Sequence, residues 1–94
     1  MIIQVRSVHS IARLLSGRRI NIDIPDPSTL QELLHELTRI CGQEFYDAVC
    51  DETGYPENKI AILINGTSAA VLKGVHTPLK NNDDVLILPL ISGG

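Results

Sequence analysis

The stretch from Ser28 to Gly42 spells out a complete helix with both of its ends, and that helix limits what the rest of the chain can be. Ser28-Thr29 offers an N-cap, and Gln31 or Glu32, three residues on, completes a capping box. Leu30, Leu33, Leu34, Leu37, Ile40 and Cys41 recur at helical spacing on one face; Gln31, Glu32, His35, Glu36, Thr38 and Arg39 take the other. Gly42 is a natural residue just past the end, since it accepts the left-handed backbone that stops a helix. An apolar stripe of this kind needs a partner layer. The 94 residues make one domain, so helix and partner share one core. A chain of this length buries roughly two-thirds of its unfolded surface, enough to fold alone when aliphatic residues dominate. They do, since the 44% hydrophobic content is chiefly Ile, Leu and Val.

Short strands supply the partner layer. From Ile2 to Val8, Ile3 and Val5 alternate with Gln4 and Arg6, the pattern of a half-buried strand. Ile11, Leu14 and Leu15 follow at helical spacing until Gly17 breaks the run. Ile20 to Ile24 has a strict period of two, closed by Pro25. After Gly42 a shorter helix turns Phe45, Ala48 and Val49 inward, and the polar Asp51–Asn58 stretch reads as a loop. Ile60 to Ile64 is apolar throughout, which suits a central strand, and Asn65-Gly66 is a hairpin turn leading into a short return strand. Val71 to Leu79 reads as irregular, Asn81 to Asp84 as a turn, and Val85 to Leu88 as the last strand, apolar on both faces. The order predicts an α+β fold of the β-grasp type: a mixed sheet of four to five strands with one main helix packed on one face. Other strand orders satisfy the same pattern.

Composition narrows the partners. Aromatics are 3% with no Trp, so stacking platforms for single-stranded nucleic acid are missing. A net charge of −3 argues against nucleic acid and anionic membranes as main partners. No apolar run is long enough for a membrane helix, and Met1 to Arg6 lacks the features of a signal peptide; the expected home is the cytoplasm. Cys41 and Cys50 fit neither a redox pair nor zinc spacing and are expected to be reduced core residues. His9, His35 and His76 show no ligand spacing, so no metal is expected. Arg18-Arg19 reads as a solvated strand start, and the sequon at Asn65-Gly66-Thr67 as the hairpin itself.

Ile64-Asn65-Gly66, Thr77-Pro78-Leu79-Lys80, Asp83-Asp84-Val85 and the stretch from Leu88-Pro89 to Gly93-Gly94 follow one another in a set order. In that ordered set the chain resembles the MoaD/ThiS family of ubiquitin-like sulfur carriers. The capped helix from Thr29 and Leu14-Leu15-Ser16-Gly17 match in position. Two departures are Asn82, where the family turn usually has Gly, and Leu90, where many molybdopterin-type tails have a second proline. The resemblance implies a ubiquitin-like β-grasp domain over residues 1–91 and a flexible Gly-Gly tail over 92–94. It further implies that Gly94 is adenylated by a ubiquitin-activating-type partner and converted to a thiocarboxylate, with Gly93 threading the partner's channel. The chain itself would bind no cofactor and catalyse nothing; ATP and a sulfur donor would be used through the partner, and no P-loop motif is present. Glycine has no Cβ, which suits a narrow channel, and Pro89, a poor ladder residue, would help release the tail from the sheet.

A second candidate site follows from alternation. If Ile3, Val5, Val85 and Ile87 face the helix, then Val8, Ala61, Leu63, Leu86 and Leu88 face outward. Such a patch marks an interaction surface unless loops or a second copy cover it. The resemblance implies that the activating enzyme and an acceptor such as the large subunit of molybdopterin synthase dock there, next to Pro89. Molybdopterin (or tungstopterin) biosynthesis is the leading pathway, because the tail contains a proline. Sulfur delivery to thiamine, cysteine or tRNA, conjugation of Gly94 to target lysines, and a plain interaction module are the alternatives.

Overall fold

In the computed structural model the described residues are 1–15, 17 and 19–90. The proposed domain boundary at residue 91 and the Gly93-Gly94 tail lie outside them. Among the described residues five strands form one mixed sheet: β1 (Ile2–Ser7), β2 (Arg19–Asp23), β3 (Ile60–Ile64), β4 (Thr67–Ser68) and β5 (Asp84–Pro89). Their order is β2-β1-β5-β3-β4. The two ends of the sequence meet at the centre, where β1 runs parallel to β5; every other pairing is antiparallel. The helices are α1 (His9–Leu14), α2 (Leu30–Cys41) and α3 (Gln43–Val49).

Helix α2 starts where its signals say. Thr29 is extended, Glu32 reaches back so that its carboxylate accepts the Thr29 N–H at 3.1 Å, and the Leu33 N–H bonds to the Thr29 carbonyl. Gly42 ends the helix at φ 95°, a conformation costly for any residue with a Cβ. Leu30, Leu33, Leu34 and Leu37 are buried against Ile3, Val5, Val85 and Ile87 in a single core joined by Phe45 and Val49 of α3.

Two residues of the expected stripe behave otherwise. Ile40 is 51% exposed, and Cys41 is only partly buried. At 100° per residue Ile40 sits about 80° around the helix from Leu30, on the rim of the stripe. Ala48, expected inward, is likewise only partly buried.

The turns follow their residues. Asn65 (φ 51°) and Gly66 (φ 86°) both take positive φ, as a two-residue hairpin matched to sheet twist requires. Asn82 takes φ 71° in the turn before β5, which Asn tolerates better than other residues with a Cβ. The segment read as irregular, Val71 to Leu79, contains a single 3₁₀ turn at Gly74–His76, and another, Ala69–Val71, ends on its first residue.

Candidate functional site

Three strands build the site by simple alternation. On β1, Ile3, Val5 and Ser7 are buried while Gln4 and Arg6 are partly exposed. On β5, Val85 and Ile87 are buried and Asp84, Leu86 and Leu88 lie on the other face. On β3, Ile62 and Ile64 are buried and Ala61 and Leu63 are not. The register places Ala61 directly across from Leu88 and Leu63 directly across from Leu86. These four apolar side chains therefore form one block on the sheet face opposite α2. Val8, one residue past β1 and also partly exposed, continues the β1–β5 register to the level of Leu88. The structure thus brings Val8, Ala61, Leu63, Leu86 and Leu88 together on the face expected for them.

The block has two polar-to-apolar borders. At one end Arg6 bonds both oxygens of Asp84, Nε to Oδ1 at 2.8 Å and Nη2 to Oδ2 at 2.6 Å. This forked geometry fixes a charge pair at the edge of an apolar patch. Sequence reasoning missed the pair; the available signal was that Arg6 and Asp84 both fall on the outward parity of neighbouring strands. The turn below it is tied by Asn65, whose Nδ2 donates to Asp83 Oδ1 at 2.9 Å and whose Oδ1 accepts the Asp84 N–H at 2.9 Å. Asp83 Oδ2 also accepts the Lys80 N–H at 2.8 Å. The Asn65-Gly66 and Asp83-Asp84 motifs therefore lock the β3–β4 hairpin to the start of β5.

The other end is where the chain leaves the sheet. Pro89 is the last residue of β5 and stands opposite Ile60, yet pairing continues: Leu90 donates its N–H to the Lys59 carbonyl at 2.6 Å. Proline was expected to help release the tail from the sheet; pairing runs one residue past it, because Leu90 supplies the ladder's next donor, and the tail itself lies outside the described residues.

Leu90 is 53% exposed and borders two hollows that sequence reasoning did not foresee. One, of about 410 Å³, is walled by Tyr55, Ile60, Ala69, Val75 and His76; Tyr55 and His76 meet edge to face with centroids 6.4 Å apart. The other, of about 550 Å³, lies between Ile11, Ala48, Ile60 and Pro89. Tyr55, a large apolar residue in a segment read as loop, was the available signal for the first hollow.

The thiols offer no reactive centre. Burial, with smaller contributions from Asp51 and Glu57, pushes the Cys50 thiol up to about 11, and burial also raises Cys41. Neither is a thiolate at neutral pH, the form needed for nucleophilic sulfur chemistry. Among the described residues no helix is long and apolar enough to cross a membrane. Gly93 and Gly94 lie outside the described residues; the last described residue, Leu90, stands next to the open face.

Comparison with known proteins agrees with this fold. A curated protein of Archaeoglobus fulgidus named as a sulfur carrier is 27% identical over 66 residues, covering 70% of this chain and 74% of its own length. The solution structure of the small archaeal modifier protein 1 of Methanosarcina acetivorans superposes with a TM-score of 0.79 at 26% identity, covering 99% of this chain and 96% of that one. A Pyrococcus furiosus protein named as subunit 1 of a molybdopterin converting factor gives 0.78 at 22% identity, covering 97% and 99%. These relatives bear out the ubiquitin-like β-grasp fold. The ThiS family matches residues 10–94, nearly the whole sequence including Gly93-Gly94, and the chain belongs to that family of small sulfur carriers and modifiers.

Proposed function

We propose that this chain carries sulfur on the carboxyl group of Gly94 and that the open sheet face is the docking surface for the enzymes that load and unload it. The observation that carries the reading is continuity: Leu86 and Leu88 of the apolar face lead, through Pro89 on the helix-side parity of β5, into the chain that ends in Gly93-Gly94. Four residues past Leu90 reach at most about 14 Å when extended. A partner seated on the face would therefore have its active site close to the face, with the tail threaded into it.

The chemistry follows from the poor electrophilicity of a carboxylate. The partner transfers AMP from ATP to Gly94 and releases pyrophosphate. A sulfide-level donor then attacks the acyl carbon, AMP leaves with one of the original oxygens, and a thiocarboxylate remains. Gly93 and Gly94, lacking Cβ atoms, fit a narrow channel during both steps. Molybdopterin biosynthesis is the proposed destination, supported by Pro89 just ahead of the tail; delivery to thiamine, cysteine or tRNA thiolation uses the same first step. ATP and the sulfur donor act through the activating partner, and the chain works without catalysing either step.

A second reading, conjugation of Gly94 to lysines of other proteins, is favoured by the 26% identity to a protein named as a modifier. Expression in cells with an affinity tag at the N-terminus separates the two. A carrier runs as free protein on a denaturing gel. A modifier forms heavier, tail-dependent conjugates whose isopeptide bonds map to lysines, and that outcome would overturn the carrier reading.

A further inference from the structure

We propose that the outer edge of β2 is a self-recognition surface, at which two copies of this chain pair antiparallel about a two-fold axis through Asn21. Strand β2 is the outermost strand beside β1. Which of its backbone groups are free follows from its neighbour. Met1 and Ile24 exchange two hydrogen bonds, at 2.8 and 3.0 Å, so the pairs Ile3–Ile22 and Val5–Ile20 are the hydrogen-bonded ones of this ladder. Independently, the Gln4 N–H bonds to the Asp83 carbonyl and the Ile2 carbonyl accepts from Asn82, so Gln4 and Ile2 spend their backbone groups away from β2. Arg19, Asn21 and Asp23 therefore point both N–H and C=O outward. Among the described residues none of these groups has a backbone partner outside the ladder.

Only residues of this parity can form hydrogen-bonded pairs with a new strand. In a register centred on Asn21, Arg19 meets Asp23 of the second copy, Asn21 meets Asn21, and Asp23 meets Arg19. Each of these three pairs can exchange two backbone bonds. The segment Arg19-Ile20-Asn21-Ile22-Asp23 is thus self-complementary in charge as well as in hydrogen bonding. Centring on Arg19 or Asp23 instead would set like charges opposite one another, which is unfavourable. Pro25, next in the same parity, has no N–H and stops the ladder from extending.

The single copy leaves Arg19 poorly placed. It stands directly opposite Arg6 of β1, whose guanidinium is already held by Asp84, and no acid lies within ion-pair distance of Arg19 among the described residues. Asp23 is largely exposed, with only a 3.5 Å contact to the Met1 amine. Pairing gives each the opposite charge it lacks. It also sets Ile20, partly exposed in one copy, across from Ile22 of the other on the helix side. The product is a continuous ten-stranded sheet with both open faces on one side, their β5 strands about 24 Å apart at ordinary strand spacing.

The test is sedimentation velocity across a concentration series at low salt. The wild type, Asp23→Arg, and the double variant Arg19→Asp with Asp23→Arg are compared, with thermal midpoints confirming that each is folded. The wild type is expected to associate reversibly, and Asp23→Arg, which sets Arg opposite Arg, to weaken association roughly tenfold or more. The double variant restores opposite charges and should recover it, and added salt should weaken both. A wild type that stays monomeric throughout the series would overturn the proposal. So would association that ignores both substitutions, which would place a different surface at the contact.

Discussion

Arg6 of β1 grips both carboxylate oxygens of Asp84 of β5 across the centre of the sheet, joining residues 78 positions apart. The pair sits on the open face beside Leu86, and both side chains keep some solvent contact. Its role is to hold charge in a fixed place at the rim of an apolar patch, more than to stabilise the fold. Arg6→Asp should therefore change the thermal midpoint only slightly while weakening binding to the activating enzyme. The exchange Arg6→Asp with Asp84→Arg should restore the midpoint but not the affinity if the partner reads the direction of the pair. Recovery of both would make the pair purely structural.

Leu88→Arg tests the apolar block itself. The side chain is only partly buried, so the substitution should cost stability within about 1 kcal/mol. At an interface it buries an unpaired charge, unfavourable by several kcal/mol, so affinity for the activating enzyme should collapse. Calorimetric binding and thermal melting on one variant separate the cases. A large fall in midpoint would mean that Leu88 belongs to the core, and unchanged affinity would remove the face from the account.

The helix stripe makes a sharper contrast. Leu37→Ala removes a fully buried side chain and should cost about 2–5 kcal/mol in denaturant unfolding. Ile40→Ala, three residues on, removes one that is half exposed and should cost far less, about 0.5 kcal/mol. Similar losses at both sites would restore the full stripe expected from spacing.

That contrast also marks how much was legible in the chain. Local signals were sufficient where the cause was local: the Thr29–Glu32 cap, the positive φ at Asn65 and Gly66, and the alternation that sorts Leu86 and Leu88 from Val85 and Ile87. They failed where the cause was distant. The pairing of residues 4–7 with 84–87 at the sheet centre leaves no mark on either segment alone. Helical spacing cannot say how far the neighbouring layers reach, which decides Ile40. The hollow beside Leu90 is assembled from Tyr55, Ile60 and Val75, which no sequence spacing relates. The fork from Arg6 to Asp84 depends on the strand order that the pattern left open.

Cys50 gives a pH-dependent check. Its folded value, about 11, lies above the ordinary 9.0, so the folded state holds the thiol proton more tightly than the unfolded chain does. The resulting stability is fully present below pH 9 and is lost as pH rises from about 9 to about 11. Cys50→Ala should flatten that part of the stability profile. At pH 8 the thiol should react with iodoacetamide far more slowly in the native protein than in urea. Rapid native labelling would contradict its burial.

The central claim is that Gly94 is the working atom group. The most direct measurement is the intact mass of the protein after incubation with ATP, its activating enzyme and sulfide, beside the same protein lacking Gly94. The account predicts that one oxygen of the wild type is replaced by sulfur, that ATP is required, and that the truncated protein gains nothing. Loading of the truncated protein to the same extent, or sulfur found on Cys41 or Cys50 in place of the C-terminus, would contradict it.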